Sequence, residues 1–549
     1  MKKYLIYIIL IIAFLIRIFG LDWDQGSHIH PDERFLTMVE TSLQLPKNIG
    51  EYFNTATSPL NPYNTKFSFF VYGTFPVFLT KLIGEISGYN GYGEIHFIGR
   101  ILSALFDTLT IYFLYLISKK KLIAPLIYTF LVLPLQLSHF FAVDTFATTF
   151  IIACFWALNA NIIFLSAIFF GLAMACKISV VYFLPIIFLY LLFKYFKTDK
   201  IKIISSLIIF GIFSFALFRI FQPYSFTGLI KINPQFINNI KELSAMSKDT
   251  SFFPPSVQWH SKTPILFPLQ NIVLWGIGLP FSLLFLFLII KNYHKALRWP
   301  LEIKLSLLWV ILLILYQGSQ FVHPMRYFIS IYPFFSLILG YFIIKNKKYQ
   351  KLFNFCFILN LIWAVSFLSI YSRPNSRIEA SNWFYKNVPD QSVITNETWD
   401  DPLPFGQSSK DYTGLMLDIF YGDDDPKKWP SINSKLDQAA YMIMSSNRLW
   451  GSIPKVSKQF PITEKYYRDI FENKTVWKRA VRVVSYPGFN LPFMKKCLYI
   501  GLSDYPISKN SFFEIDNKCL RPGIYFRDDL ADESFTVYDH AQVLIFKKQ

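Results

Sequence analysis

The run His30-Pro31-Asp32-Glu33 sets two carboxylates side by side, shortly after an apolar stretch that occupies residues 4–20. Carboxylates so placed can take a proton from a hydroxyl and orient it for attack. Ionisable groups beside a bilayer are costly unless they line a hydrated cavity or find partners, which makes Asp32 and Glu33 candidate catalytic residues. A solvated loop would use the same residue types, so the rest of the chain has to decide. Acids and bases recur where later apolar runs begin or end. Arg100 opens the second run with Asp107 two turns further in, Asp144 lies one turn into the fourth, Lys177 stands between two runs, and Arg326 with Tyr327 opens the tenth. Fixed cations hold a phosphate and stabilise it as it leaves. Arg100, Lys177 and Arg326 are therefore candidate phosphate ligands, with His30, Asp144 and Tyr327 as further pocket residues. Arg17 reads instead as a helix-end arginine whose head reaches the headgroups. His28, His30, Asp32 and Glu33 also offer a rival reading as ligands of a divalent metal, although their spacing matches no metal signature. No cofactor is otherwise required.

The elements that must position these residues are membrane helices. The 549 residues are 53% hydrophobic and only 16% charged, well below the charge of an ordinary soluble protein. The formal net charge of +18 does not point to nucleic acid, because the lysines cluster in short loops between apolar runs, as cytoplasmic loops do beside an anionic leaflet. Eleven runs are long enough to span: 4–20, 97–118, 122–138, 140–158, 161–176, 178–195, 202–222, 267–290, 304–320, 322–344 and 351–371. With Lys2 and Lys3 inside, the lysine-rich loops at 119–121, 194–202, 291–298 and 345–351 all fall on the cytoplasmic side. The first run lacks a small-residue cleavage site and reads as a retained helix. The apolar segment 66–86 would invert every later loop if it spanned, so it reads as a helix lying in the outer interface within an external loop, residues 21–96. Residues 1–371 then form a transmembrane domain. Residues 372–549 form a soluble extracytoplasmic α/β domain, with a helix near 377–387 and strands near 392–395, 438–445 and 541–546. A second external loop, 222–264, carries a surface helix near 233–247. Cys497 and Cys519 fall in the C-terminal region and can pair if it lies outside the cell. Cys154, Cys176 and Cys356 read as buried small hydrophobes.

This arrangement resembles the GT-C superfamily of membrane glycosyltransferases, in particular the protein O-mannosyltransferase and aminoarabinose-transferase group. The resemblance covers about residues 1–371. It rests on Asp32-Glu33 in a long first external loop, the interfacial segment 66–86, Arg100 near the second span, Asp144 to Phe150 as Asp-x5-Phe, Gly171 to Lys177 as Gly-x5-Lys, and the Arg-Tyr-x4-Tyr-Pro stretch from Arg326 to Pro333. The stretches 396–404 and 532–539 look like those of bacterial members and do not match the sugar-binding domain of eukaryotic O-mannosyltransferases.

The resemblance implies a multi-pass protein of the cell membrane that inverts a sugar as it moves it from a polyprenyl-phosphate donor to a hydroxyl of a lipid, glycan or protein acceptor on the outer face. Asp32 would be the base, Glu33 would orient the acceptor or tune Asp32, and the cations would hold the donor phosphate. Two rivals stand beside it. A lipid or polysaccharide transporter or flippase would also place charges at membrane depth. A membrane-anchored binding protein would work through its C-terminal region alone.

Overall fold

The computed structural model describes residues 4–549 apart from 197, 251, 253, 407, 504–511 and 518; Lys2 and Lys3 lie outside the described residues. The chain is a polytopic helical membrane protein with a C-terminal α/β region. All eleven apolar runs are helical, because in lipid each backbone N–H and C=O must be bonded within its own segment. Among the described residues, six helices are long and apolar enough to cross a membrane, and four shorter apolar helices accompany them.

Several runs depart from a single uninterrupted α-helix, and the breaks in 122–138 and 267–290 have a local cause. The run 122–138 divides into Ile123–Thr129 and Val132–Ser138, with Leu131 extended between them. Pro134 explains the break, since its ring excludes the carbonyl four residues earlier, that of Phe130. The run 267–290 divides at Gly278, whose φ of +99° only glycine adopts freely, and Asn360 fills the space a Cβ would need. In the run 322–344 the regular helix starts only at Ile331, and Arg326 sits on a preceding turn, Met325–Phe328.

The external loop 21–96 folds into three helices, Pro31–Ser42, Ile49–Phe53 and Thr74–Ser87. The interfacial helix expected over 66–86 starts later, at Thr74, and it docks on the bundle with Val77, Thr80, Lys81 and Gly84 buried. Its entry is fixed by Gly73, whose N–H donates to the Cys176 carbonyl at 3.1 Å, an approach that leaves no room for a Cβ. The second loop carries the Pro234–Met246 helix, as expected.

Arg17 corrects the sequence reading. It is fully buried, its Nε 2.6 Å from Asp107 Oδ2, and the Tyr128 hydroxyl donates to the other Asp107 oxygen at 2.6 Å. The guanidinium is held inside the bundle by a carboxylate on the second span and does not reach the headgroups, and Asp107 is thereby spent on it.

After the Ser376–Asn387 helix come the strands β1 (Val393–Glu397), β2 (Thr413–Leu417), β3 (Tyr441–Met444), β4 (Trp477–Val483), β5 (Gly488–Asn490), β6 (Cys497–Ile500), β7 (Phe513–Asp516), β8 (Gly523–Phe526) and β9 (Val543–Lys548). The larger sheet has the order β2-β1-β3-β9-β4, parallel among β2, β1 and β3 and antiparallel through β9. Strand β3 and the first four residues of β9 read as apolar runs because both faces are covered, whereas β1 ends in three buried polar residues, Thr395, Asn396 and Glu397. The smaller sheet, β5-β8-β6-β7, meets the end of the last span. Cys497 and Cys519 form a disulfide there.

Candidate active site

His30-Pro31-Asp32-Glu33 is a helix start. His30 is the N-cap, its Nδ1 accepting from the Glu33 N–H at 3.3 Å, and Pro31 occupies the first helical position, where its missing N–H costs nothing. Asp32 and Glu33 fill the first turn, where the helix dipole favours negative charge. Successive residues on a helix are rotated by about 100°, so the two carboxylates leave in different directions and meet different partners.

Asp32 faces a cavity of about 540 Å³. Its Oδ2 accepts from the Arg326 guanidinium and its Oδ1 accepts from the Tyr72 hydroxyl at 3.0 Å. Burial pushes the Asp32 carboxyl up, but Arg326, His30 and the Tyr72 hydrogen bond outweigh it and hold it below the usual carboxylate value. Arg326 lies against the ring of Tyr327, 5.7 Å from guanidinium carbon to centroid, and Lys177 Nζ lies 4.6 Å from the same ring. Lys177 pairs with Asp144 at 2.6 Å, and its side chain keeps 28% of its exposure. One aromatic ring thus joins two cations, each bound to a carboxylate.

Glu33 points into the protein. Its two oxygens accept from Arg100 at 2.9 and 2.5 Å, and Oε2 also accepts from the Phe141 N–H at 2.8 Å. Arg100 pairs with Asp24 at 2.9 Å, donates to the Leu21 carbonyl at 2.6 Å and has no exposed surface. The expectation that Arg100 joins a phosphate site is corrected: two carboxylates and a carbonyl already occupy its guanidinium. Glu33 ties the helix start to the second span and to the segment before the fourth. His30 is buried between Phe140 and Tyr538, both with ring centroids at 4.4 Å, and burial holds its imidazole down at about 4. It is therefore neutral near pH 7, as its acceptor role requires, and it supports the cavity from behind.

The metal reading does not fit these contacts. His30 Nδ1 is used by the cap, Glu33 is turned to Arg100, Asp32 to Arg326, and His28 packs against Tyr92 and edge-on against His96, so the four side chains share no centre. Among the described residues no group of three or more His, Cys, Asp or Glu side chains could hold an ion.

The far wall of the cavity comes from the C-terminal region, and sequence reasoning missed its residues as parts of a site. Arg34 pairs with Asp401 at 2.7 Å, Arg377 with Asp400 at 2.9 Å, and Arg448 with Glu533 at 2.7 Å. Trp399 and Tyr538 complete it. Five of these residues lie in the two stretches singled out by resemblance, 396–404 and 532–539. The signal was present there, but nothing along the chain says that the two stretches face Asp32.

No known protein-family profile matches the chain, and no curated protein sequence matches it. Among solved structures it is similar to the apo oligosaccharyltransferase of Archaeoglobus fulgidus, with a TM-score of 0.51 and 14% identity over 85% of this chain and 73% of that one. The archaeal oligosaccharyltransferase AglB from the same organism, in complex with an inhibitory peptide and a dolichol-phosphate, aligns with a TM-score of 0.50 and 12% identity over 85% and 72%. The chain has the GT-C fold. ArnT from Cupriavidus metallidurans bound to undecaprenyl phosphate aligns with a TM-score of 0.44 and 11% identity over 82% of this chain and 94% of that one. Within the GT-C fold of this chain, Asp32, Arg326, Tyr327, Lys177 and Asp144 come together, while Arg100 and Glu33 brace them.

Proposed function

We propose that this protein is an inverting glycosyltransferase that moves a sugar from a polyprenyl-phosphate donor to an acceptor hydroxyl on the outer face of the cytoplasmic membrane. The observation that carries the reading is the Asp32–Arg326 pair at the cavity wall, with Lys177 packed against the same Tyr327 ring as Arg326. The donor phosphate sits near Arg326 and Lys177, and its negative charge competes with Asp32 for the Arg326 guanidinium. As Arg326 turns to the phosphate, the Asp32 carboxylate loses its strongest counter-charge and becomes a better base. The acceptor oxygen attacks the anomeric carbon, its proton passes to Asp32, and the bond from that carbon to the phosphate oxygen breaks. The electron pair leaves with the polyprenyl phosphate, whose charge the two cations stabilise. The oxocarbenium-like character of such a transition state favours a nearby carboxylate.

Three further observations support the reading. The GT-C fold is shared with an oligosaccharyltransferase whose structure holds a dolichol-phosphate. The lysine-rich loops favour an inner face for the opposite ends of the spans. The Cys497–Cys519 disulfide favours an oxidising compartment for the C-terminal region. The test is incubation of the purified protein with a panel of radiolabelled polyprenyl-phosphate sugars. Cleavage of one of them is expected, and inertness towards the whole panel overturns the proposal.

A further inference from the structure

We propose that the acceptor is a neutral glycan chain, bound with its end in the Asp32 cavity and its next residues along a track of aromatic rings on the C-terminal region. The inference rests on the glycosyl transfer proposed above and supplies the substrate class that reading leaves open.

Trp399 begins the track. It lines the cavity with 45% of its surface exposed, and its φ of +77° is a conformation that bulky residues rarely hold without a local reason. Its carbonyl accepts from Arg448 at 3.0 Å, which fixes the backbone in that turn. From Trp399 the rings continue outward. Phe420 lies edge-on at 5.8 Å, and Tyr421 follows at 4.3 Å from Phe420 with 51% of its surface exposed. Phe420 and Tyr421 then line a second, shallower cavity of about 620 Å³ together with Asp424 and Phe460. The rings therefore connect two hollows, one of which contains Asp32.

The chemistry of this wall suits a carbohydrate. Exposed aromatic faces accept the apolar C–H faces of sugar rings and keep a polar edge in water. Beside them stand two guanidinium–carboxylate pairs that keep some exposure, Arg34–Asp401 and Arg448–Glu533, which offer both donors and acceptors and balance each other in charge. Hydroxyl groups both donate and accept, so each sugar unit can match such a wall without bringing a charge of its own. An extended peptide added to a strand edge would be held by main-chain hydrogen bonds, whereas none of the residues named as lining either cavity lies in a strand. A bound chain that reaches Tyr421 must be several units long, so affinity should grow with length.

The experiment measures binding of gluco-, manno- and galacto-oligosaccharides, from two to six units, to the full-length protein in detergent, with a serine- and threonine-rich peptide as the competitor. At least one series is expected to bind, with a rise of about 10-fold from two units to six, the increment of one or two ring contacts. Trp399→Ala should weaken every member of that series. Tyr421→Ala should weaken the six-unit member about 10-fold and spare the two-unit one. Phe493→Ala removes a still more exposed ring, on the turn Pro492–Met494 beside the smaller sheet, and should change neither. Affinity independent of length, an unaltered Tyr421→Ala variant, or preference for the peptide overturns the track. So does failure of every series to bind protein that still cleaves a lipid-linked donor. Donor cleavage is measured without glycan, so loss of that activity with glycan binding intact would count against the transfer reading alone.

Discussion

Asp32 and Arg326 form an ion pair across 294 positions of sequence, and both side chains keep about a fifth of their surface, 19% and 21%. At the next position, Glu33 forms the same kind of pair with Arg100, with no exposed surface at all. Two adjacent carboxylates thus enter two pairs of opposite character. The open pair can exchange partners with a ligand, because water and ligand reach it. The closed pair cannot, since separating it would leave an unpaired charge in the protein interior.

Asp32→Asn keeps the shape of the side chain and removes the proton acceptor. Turnover with the cognate donor should fall by at least about 100-fold while donor binding largely survives. Near-normal turnover in this variant removes Asp32 from the chemistry.

Arg326→Gln and Lys177→Gln should each weaken donor binding by about 10-fold or more, as loss of a charge-assisted contact to phosphate does. Lys194→Gln serves as the control, because Lys194 lies in the last turn of the helix Leu184–Tyr195 and contacts Asn161 and Tyr190 instead. Equal donor affinity in Arg326→Gln and the wild type would show that this guanidinium does not touch the phosphate.

Arg100→Gln should behave as a stability mutant. It strands Asp24 and Glu33 in the interior, at a cost of about 3–5 kcal/mol for a broken buried pair. Arg17→Leu should do the same through Asp107. The measurement is thermal unfolding of the purified variants alongside donor affinity in the fraction that remains folded. Folded Arg100→Gln with a raised Kd and an unchanged Tm would return Arg100 to the phosphate site.

His540 gives a pH dependence of stability. Asp528 and Asp539 grip its two ring nitrogens at 2.8 and 2.5 Å and, against burial, lift the imidazole from 6.5 to about 10. The folded value lies above the unfolded one, so the stabilisation is complete below about pH 6.5 and fades as the pH rises through about 10. Asp539 also accepts from Tyr371 at the end of the last span, so the cluster joins the C-terminal region to the bundle. The wild type should therefore lose more Tm than His540→Gln between neutrality and pH 10. Parallel slopes for the two proteins would exclude the charged imidazole as the cause.

Orientation is open to chemical labelling. A cysteine at Ser409 should react with an impermeant reagent added from outside, and one at Lys120 should not. Labelling at both positions, or the reverse pattern, overturns the eleven-span topology.

The helices themselves were legible in the sequence, because a bilayer demands long apolar runs and the lysine-rich loops between them mark the ends. The helix start at Pro31 was missed, although proline and two acids after His30 are local signals that need no tertiary contact. Strands β1, β3 and β9 contain short apolar stretches, Val393-Ile394, Tyr441–Met444 and residues 543–546, whereas β5 to β8 have only three or four residues each and β4 sets Lys478, Arg479 and Arg482 among its apolar ones. The charges could be read as unusual but not sorted. Arg100 and Arg326 each stand near the start of an apolar run, and only the fold surrounds one with Asp24 and Glu33 and leaves the other facing a cavity. Arg17 and Asp107 were given separate roles because nothing local links residues 90 positions apart. Sequence determines which groups are present and which backbone each sits on, since those depend on neighbours along the chain. Which charge neutralises which, and which remains within reach of a substrate, depends on distances between spans, and those exist only once the bundle and the C-terminal region have closed on each other.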